Sequence, residues 1–169
     1  MSKYNIINRG VQYLQLTEVT KLYGNEIFHG FYTRDGGVST GYFKSLNCGL
    51  SSGDNRTNIT SNLNLITNAL IEELESNGLL LRLLNQDHTN HVYYLRDKNT
   101  LTEEIIADAI ITNQRGVAIA VQTADCLPIL CYDRKNKTIA AIHSGWRGAQ
   151  SGVINNTISQ MADLKGSNP

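Results

Sequence analysis

At 169 residues the chain is long enough to bury one real core and short for two independent ones, so a single domain over residues 1–169 is expected. Fifteen Lys and Arg balance fifteen Asp and Glu, and neither sign gathers into the basic stripe that a phosphate backbone requires, which argues against nucleic acid as a partner. No stretch approaches the ~18 apolar residues of a membrane span, and the opening Met1-Ser2-Lys3-Tyr4-Asn5 lacks the apolar core of a secretion signal, so a cytoplasmic protein without a membrane partner is expected.

In chain order, residues 25–32 alternate and carry aromatic side chains, which predicts a strand closed by the turn-prone Arg34-Asp35-Gly36-Gly37. Residues 49–54 are rich in Gly and Ser and lead into Ile59, Leu63, Ile66, Leu70 and Leu74, whose spacing predicts an amphipathic helix capped at Asp54 or Asn55. After the break at Ser76-Asn77-Gly78, a Leu-rich run over 79–84 reads as a strand entering the polar cluster Asn85-Gln86-Asp87-His88. Four short apolar runs follow at 109–112, 117–122, 127–132 and 138–142. Asn113-Gln114-Arg115-Gly116 and Arg134-Lys135-Asn136-Lys137 look like tight connections between sequential strands. A last helix after Gly152 should bury Val153, Ile154, Ile158 and Met161, and the polar tail over 165–169 should fray. The whole predicts mixed α/β structure with much antiparallel pairing.

The polar clusters that follow strands are where chemistry is expected, because rigid elements hand side chains to loops there. Gln86-Asp87-His88-Thr89-Asn90-His91, Thr123-Ala124-Asp125-Cys126 and His143-Ser144-Gly145-Trp146-Arg147-Gly148 together offer imidazoles and a thiol from separate segments. Two imidazoles and a thiol make the donor set of a catalytic zinc that keeps a fourth position open. Spacing alone does not select them, since no Cys-x-x-Cys or His-x-x-x-His pair links them, and a free cysteine is more often a small core residue. By that argument Cys131 and Cys48 are expected to be structural, as is His29, while His91 is expected at the surface or behind a ligand. The three cysteines are an odd, sparse set that should stay reduced rather than form disulfides. Trp146 is open to two roles, a core plug or loop anchor and a stacking surface for a base.

Five segments occur in the order of a known family. They are residues 29–39, with His29-Gly30-Phe31 and Arg34-Asp35-Gly36-Gly37; Ser45-Leu46-Asn47; Gln86-Asp87-His88; Thr123-Ala124-Asp125-Cys126-Leu127-Pro128; and His143-Ser144-Gly145-Trp146-Arg147-Gly148. The chain resembles the laccase-domain purine nucleoside phosphorylase family, also described as polyphenol-oxidase or peptidoglycan-editing-factor-like proteins, from about His29 to Met161. The resemblance implies a layered α/β sandwich of mixed, largely antiparallel sheet with flanking helices. It implies a metal, zinc or alternatively copper, on His88, Cys126 and His143, and a small-molecule purine nucleoside and phosphate as partners. The activities it implies are phosphorolysis of adenosine, inosine and S-methyl-5′-thioadenosine, with deamination of adenosine. Within that picture Cys126, His88 and Asp125 are the catalytic candidates, with Asp125 orienting a ligand or acting as base. Arg34 with the Gly36-Gly37 backbone is the first candidate for phosphate and Arg147 the second, because a guanidinium pairs bidentately with phosphate oxygens and glycines expose N–H donors.

Two departures stand out: Asp87 and Thr89 flank the histidine where the family usually has Val and Gly, and the family usually continues well past this last helix, which implies a domain short at its C-terminus. A true multicopper oxidase is a poor rival, because its clusters need many histidines and this chain has four. A metal-free cysteine hydrolase, with His88 or His143 activating Cys126, and an inactive remnant that keeps the metal are the other readings.

Overall fold

The computed structural model describes residues 2–164, so the tail expected to fray lies outside the described residues. The chain forms two compact units, Met1–Gly78 and Leu79–Pro169, and its class is mixed α/β with antiparallel and mixed sheets and flanking helices.

In the first unit, β1 (Tyr4–Asn8) and β2 (Gln12–Leu16) form an antiparallel hairpin turned at Gly10, and a short β3 (Phe31–Tyr32) pairs with the other edge of β2. Helix α1 (Thr17–Tyr23) follows β2 directly. The strand expected over 25–32 is therefore only two residues long. Before it, His29 takes over the ladder's work: its Nε2 accepts from the Leu16 N–H at 2.9 Å and its carbonyl accepts from Gln15 Nε2 at 3.0 Å. These buried contacts give His29 the structural role expected of it.

Helix α2 (Arg56–Leu74) starts where the sequence indicates, with the Asn55 side chain accepting from the Thr57 N–H at 2.8 Å. Its buried face holds Ile59, Ala69 and Leu70, but also Asn62, which the apolar spacing does not anticipate. Asn62 is fully buried and fully used. Its Oδ1 accepts from Val38 N at 2.8 Å, and its Nδ2 donates to Ser39 Oγ, the Ser45 carbonyl and the Asn47 carbonyl at 2.9, 3.2 and 2.7 Å. Asp54 extends the network, accepting from Ser39 Oγ at 2.6 Å and Asn47 Nδ2 at 3.1 Å. Segments 38–39 and 45–47 are thus stapled to α2 by polar side chains, while Val11, Leu46 and Ala69 form the apolar core beside them.

The second unit is layered. A four-stranded sheet has the order β5 (Val92–Tyr94), β6 (Ala109–Thr112), β9 (Thr138–Ser144), β8 (Leu127–Asp133), with β5 and β6 parallel and the other pairs antiparallel. β6 is buried along its whole length and is apolar except for Thr112, whose hydroxyl donates to the Leu95 carbonyl at 2.9 Å. Its side chains still alternate in what they meet: Ala109 and Ile111 pack with Ile142, Ala140, Val153 and Met161, and Ile110 packs with Ala141, Leu84 and Val117 on the opposite face. Val153 and Met161 belong to α4 (Val153–Asp163), which covers the first face; on the other, Val117 opens β7 (Val117–Ile119), which pairs in parallel with β4 (Leu80–Arg82), and Leu84 follows β4 by two residues. A short α3 (Trp146–Ser151) precedes α4.

The runs at 109–112 and 117–122 are joined by the short connection expected over 113–116 but do not pair, because β7 leaves the sheet to join β4 and the neighbour of β6 is β9. One expectation is corrected here. On α4 the buried side chains are Val153, Thr157 and Met161, spaced by four, while Ile158 is 49% exposed; the Thr157 hydroxyl is satisfied by the Val153 carbonyl at 2.7 Å. The β8–β9 hairpin does close at residues 134–137 as expected.

Replacing Asn62 with Ala strands the Val38 N–H and removes the two amide hydrogens that three acceptors share, so Asn62→Ala should lower unfolding stability by about 3 kcal/mol, from a cost of ~1–3 kcal/mol per unmet buried group. Urea unfolding checks this, and an unchanged midpoint would contradict the stapling role.

Candidate metal centre

The register of the four-stranded sheet brings three sequence-distant clusters to one end. β5, β6 and β8 all start there and β9 finishes there, because β6 runs parallel to β5 and β9 runs antiparallel to both its neighbours. Cys126 precedes β8, whose first residues pair as Leu127↔Ser144 and Pro128↔His143. His143 lies one step beyond the Ala109↔Ile142 pair and so stands beside Asp108, whose carbonyl accepts the His143 N–H at 2.7 Å. The loop carrying His88 enters β5 beside the same point, where the His91 carbonyl accepts from Asp108 N at 3.1 Å.

One donor atom from each of His88, Cys126 and His143 lies within 4.8 Å of the others, and His88 Nε2 is 3.8 Å from Cys126 Sγ. The His88 and His143 rings stand edge to face with centroids 4.9 Å apart. Zn–N and Zn–S bonds of about 2.0 and 2.3 Å at tetrahedral angles need donors about 3.3–3.6 Å apart, so a small contraction fits these three to one ion. His143 is buried, Cys126 half-buried and His88 exposed, which leaves the solvent side for a fourth ligand.

Electrostatics favours a cation here. Partial burial, then the neighbouring Asp125 carboxylate and more weakly that of Asp108, pushes the Cys126 thiol above its ordinary value. Without a cation this thiol is protonated at neutral pH, and a bound cation is what would make it a thiolate. Asp108 is completely buried; burial alone would push its carboxyl up, but hydrogen bonds from His143, the Thr89 N–H and hydroxyl, and the Asp87 N–H hold it below the usual carboxylate value. His143 Nδ1 is 2.7 Å from Asp108 Oδ1.

Asp108 is the site residue that the polar clusters miss. Its signal was a lone acid inside the apolar run over 105–111, a place where a charge survives only with partners. Gln86 opens the first polar cluster, but no role was expected of it there. Its Nε2 donates to the Gln122 carbonyl at 2.8 Å and its Oε1 accepts from Gln122 N at 2.7 Å, so the loop bearing His88 is clamped to the one bearing Cys126.

Gly145 explains part of the third cluster. A Cβ there would come within 2.6 Å of His88 Cδ2 and 3.0 Å of Cys126 Sγ, so the backbone itself walls the donors. Gly148 similarly allows the Thr89 carbonyl to approach, 3.0 Å from where a Cβ would sit.

The remaining candidates sort as follows. Asp125 is exposed and hydrogen-bonded to the Cys126 thiol. Arg147 is exposed, with its guanidinium carbon 5.1 Å from the centroid of the Trp146 ring, and Trp146 is 70% exposed, so it is not a core plug. Arg34, Gly36 and Gly37 lie in the first unit. The Arg34 guanidinium donates to the Lys44 carbonyl; a Cβ on Gly36 would strike the Gly10 carbonyl oxygen at 2.3 Å and one on Gly37 that of Ser45 at 2.1 Å, so this glycine pair has a packing reason of its own. Cys131 and Cys48 are half-buried against core clusters, with Cys48 pushed up to about 11 by burial, and His91 is exposed.

A family model described as multi-copper polyphenol oxidoreductase laccase matches residues 28–169. The chain belongs to this family. A Bacteroides thetaiotaomicron protein named purine nucleoside phosphorylase is 34% identical over 143 residues, covering 81% of this chain and 52% of that protein. A crystal structure of a Neisseria meningitidis protein, NMB0706, aligns with a TM-score of 0.65 at 32% identity over 95% of this chain and 57% of that one. That of YlmD from Geobacillus stearothermophilus aligns with a TM-score of 0.75 at 25% identity, over 94% and 58%. The chain spans about half the length of the curated relatives it matches. Despite the family's multi-copper description, the group of three donors found among the described residues suits one ion.

Gly145→Ala drives a methyl into both His88 and Cys126, and overpacking costs of about 1–3 kcal/mol translate into roughly a 5- to 150-fold loss of metal affinity. Competition against a zinc-sensitive dye checks this; an unchanged affinity would contradict the close wall described here.

Proposed function

We propose that this chain is a purine nucleoside phosphorylase unit whose centre holds one zinc ion on His88, Cys126 and His143. The observation that carries the reading is the convergence of those three donors, one thiol and two imidazoles, at one sheet end. Cys/His₂ is a borderline-soft set that suits zinc better than magnesium or calcium. The name borne by the Bacteroides relative supplies the reaction class, at 34% identity.

A zinc ion in such a set acts as a Lewis acid and lowers the pKa of water toward 7, the chemistry that deamination at purine C6 requires. Phosphorolysis has a different need: phosphate must be held beside the anomeric carbon while the base leaves, giving free purine and the pentose 1-phosphate. Arg147 is our candidate for phosphate in the second unit, since its exposed guanidinium lies two residues from Gly145, which borders the donors. Arg34 with Gly36 and Gly37 is the candidate in the first unit. Asp125, exposed and hydrogen-bonded to Cys126, is the candidate for accepting or returning a proton. Adenosine, inosine and S-methyl-5′-thioadenosine are the proposed nucleosides, with adenosine deamination as the second activity.

The metal-free cysteine hydrolase has a physical argument against it. A nucleophilic cysteine needs a depressed pKa, whereas Cys126 is pushed up by burial and by the carboxylates beside it.

The test is base release from adenosine and inosine by the full chain, with and without phosphate. Phosphate-dependent release that is lost on chelation, restored by zinc and absent in Cys126→Ala is the expected result. Turnover that survives chelation would overturn the metal reading, and stoichiometric zinc with no turnover of any purine nucleoside would overturn the enzyme reading in favour of a metal-holding remnant.

A further inference from the structure

Resting on the metal-centre reading, we infer that Asp108 is a positioning residue that assembles the two histidine ligands before the metal arrives, by fixing the proton of one and the backbone of the other. Five donors converge on its carboxylate. Oδ1 meets His143 Nδ1 at 2.7 Å and the His88 N–H at 3.0 Å; Oδ2 meets the Thr89 N–H at 2.6 Å, the Thr89 hydroxyl at 2.7 Å and the Asp87 N–H at 3.4 Å.

The first consequence is chemical. An ionised carboxylate is acceptor-only, so the ring nitrogen facing it must carry the hydrogen. A neutral His143 with its proton on Nδ1 presents Nε2 as a lone pair, which is the form a metal takes. The tautomer is therefore set by a residue buried beneath the site and not by the ion.

The second consequence is conformational. His88 has φ of 56°, a left-handed backbone that non-glycine residues adopt at a cost. Its own N–H and the two donors of the next residue all end on Asp108, so three hydrogen bonds to one buried charge hold the loop in that conformation. His143 and His88 thus share one anchor although they come from β9 and from the loop before β5, 55 positions apart in sequence.

An amide cannot replace this carboxylate. Asn at 108 turns its NH₂ either toward His143 and the His88 N–H, or toward the donors of Thr89 and Asp87, so one side faces donor against donor in both orientations.

The experiment reads histidine side-chain nitrogens by long-range ¹H–¹⁵N correlation in the metal-free chain, and zinc affinity by competition, for wild type, Asp108→Asn and Thr89→Val. Metal-free wild type should show His143 protonated at Nδ1 with Nε2 bare. Asp108→Asn, with near-UV circular dichroism retained, should redistribute that tautomer and bind zinc about 10- to 100-fold more weakly. Thr89→Val, which removes one donor and leaves the His143 contact intact, should keep the tautomer and lose less than tenfold. Protonation of His143 at Nε2 in the metal-free wild type would overturn the inference, as would zinc affinity within twofold of wild type in Asp108→Asn. If Asp108→Asn does not fold, the wild-type tautomer and Thr89→Val still decide. A wild type that binds no zinc would refute the metal centre itself, while the tautomer measurement would continue to test the role of Asp108.

Discussion

A single buried carboxylate organises the end of the second unit's sheet where the three donors converge. Asp108 has no exposed surface, and an ionised group in that position is tolerable only if donors surround it. It obtains them from two places that the sheet brings together: the loop ahead of β5 and the end of β9. The cost of leaving this charge unpartnered is what couples the two segments. Its main chain takes part as well, donating to His91 and accepting from His143, so the register of the central strands and the geometry of the donors are one construction.

Around that anchor the other contacts are steric or bidentate. The reciprocal amide pair of Gln86 and Gln122 ties the loop of His88 to the loop of Cys126. Gly145 lets the backbone after β9 touch both His88 and Cys126. The thiol has no help in ionising from its surroundings: burial and adjacent carboxylates push it up, the reverse of what a free nucleophile needs and a setting in which a cation is favoured. Membership of the laccase-like family agrees with this arrangement, while the count of donors that converge among the described residues suits one ion.

Legibility in the sequence followed the usual code where burial follows polarity and failed where it does not. Helix α2 and the β8–β9 hairpin stood out because their apolar spacing and turn residues obey the rules for half-buried elements. The hairpin of β1 and β2 did not. In β2 the buried positions are Tyr13 and Gln15 while Leu16 is exposed, so the alternation runs against hydropathy, and most of β1 faces solvent. Parallel pairing of β4 with β7 and of β5 with β6 was also hidden, since nothing local in a three-residue strand names its partner. At the site, His88, Cys126 and His143 could be chosen by chemistry and by motif order. In the sequence Asp108 is marked only as a lone acid in an apolar run, because its five hydrogen bonds are created by the folded register. The motif over 34–37 was legible as glycine-dependent, but the folded chain shows close backbone packing at Gly36 and Gly37 as one reason for it.

The claim on which everything else stands is that one ion is held by one sulfur and two imidazole nitrogens of this chain. The X-ray absorption spectrum at the zinc edge of the purified protein tests it most directly. The account predicts about one zinc per chain with one sulfur scatterer at about 2.3 Å and imidazole nitrogens at about 2.0 Å, and loss of the sulfur shell in Cys126→Ser. A first shell of nitrogen and oxygen alone in the wild type, or protein that carries no metal after exposure to zinc, would contradict it.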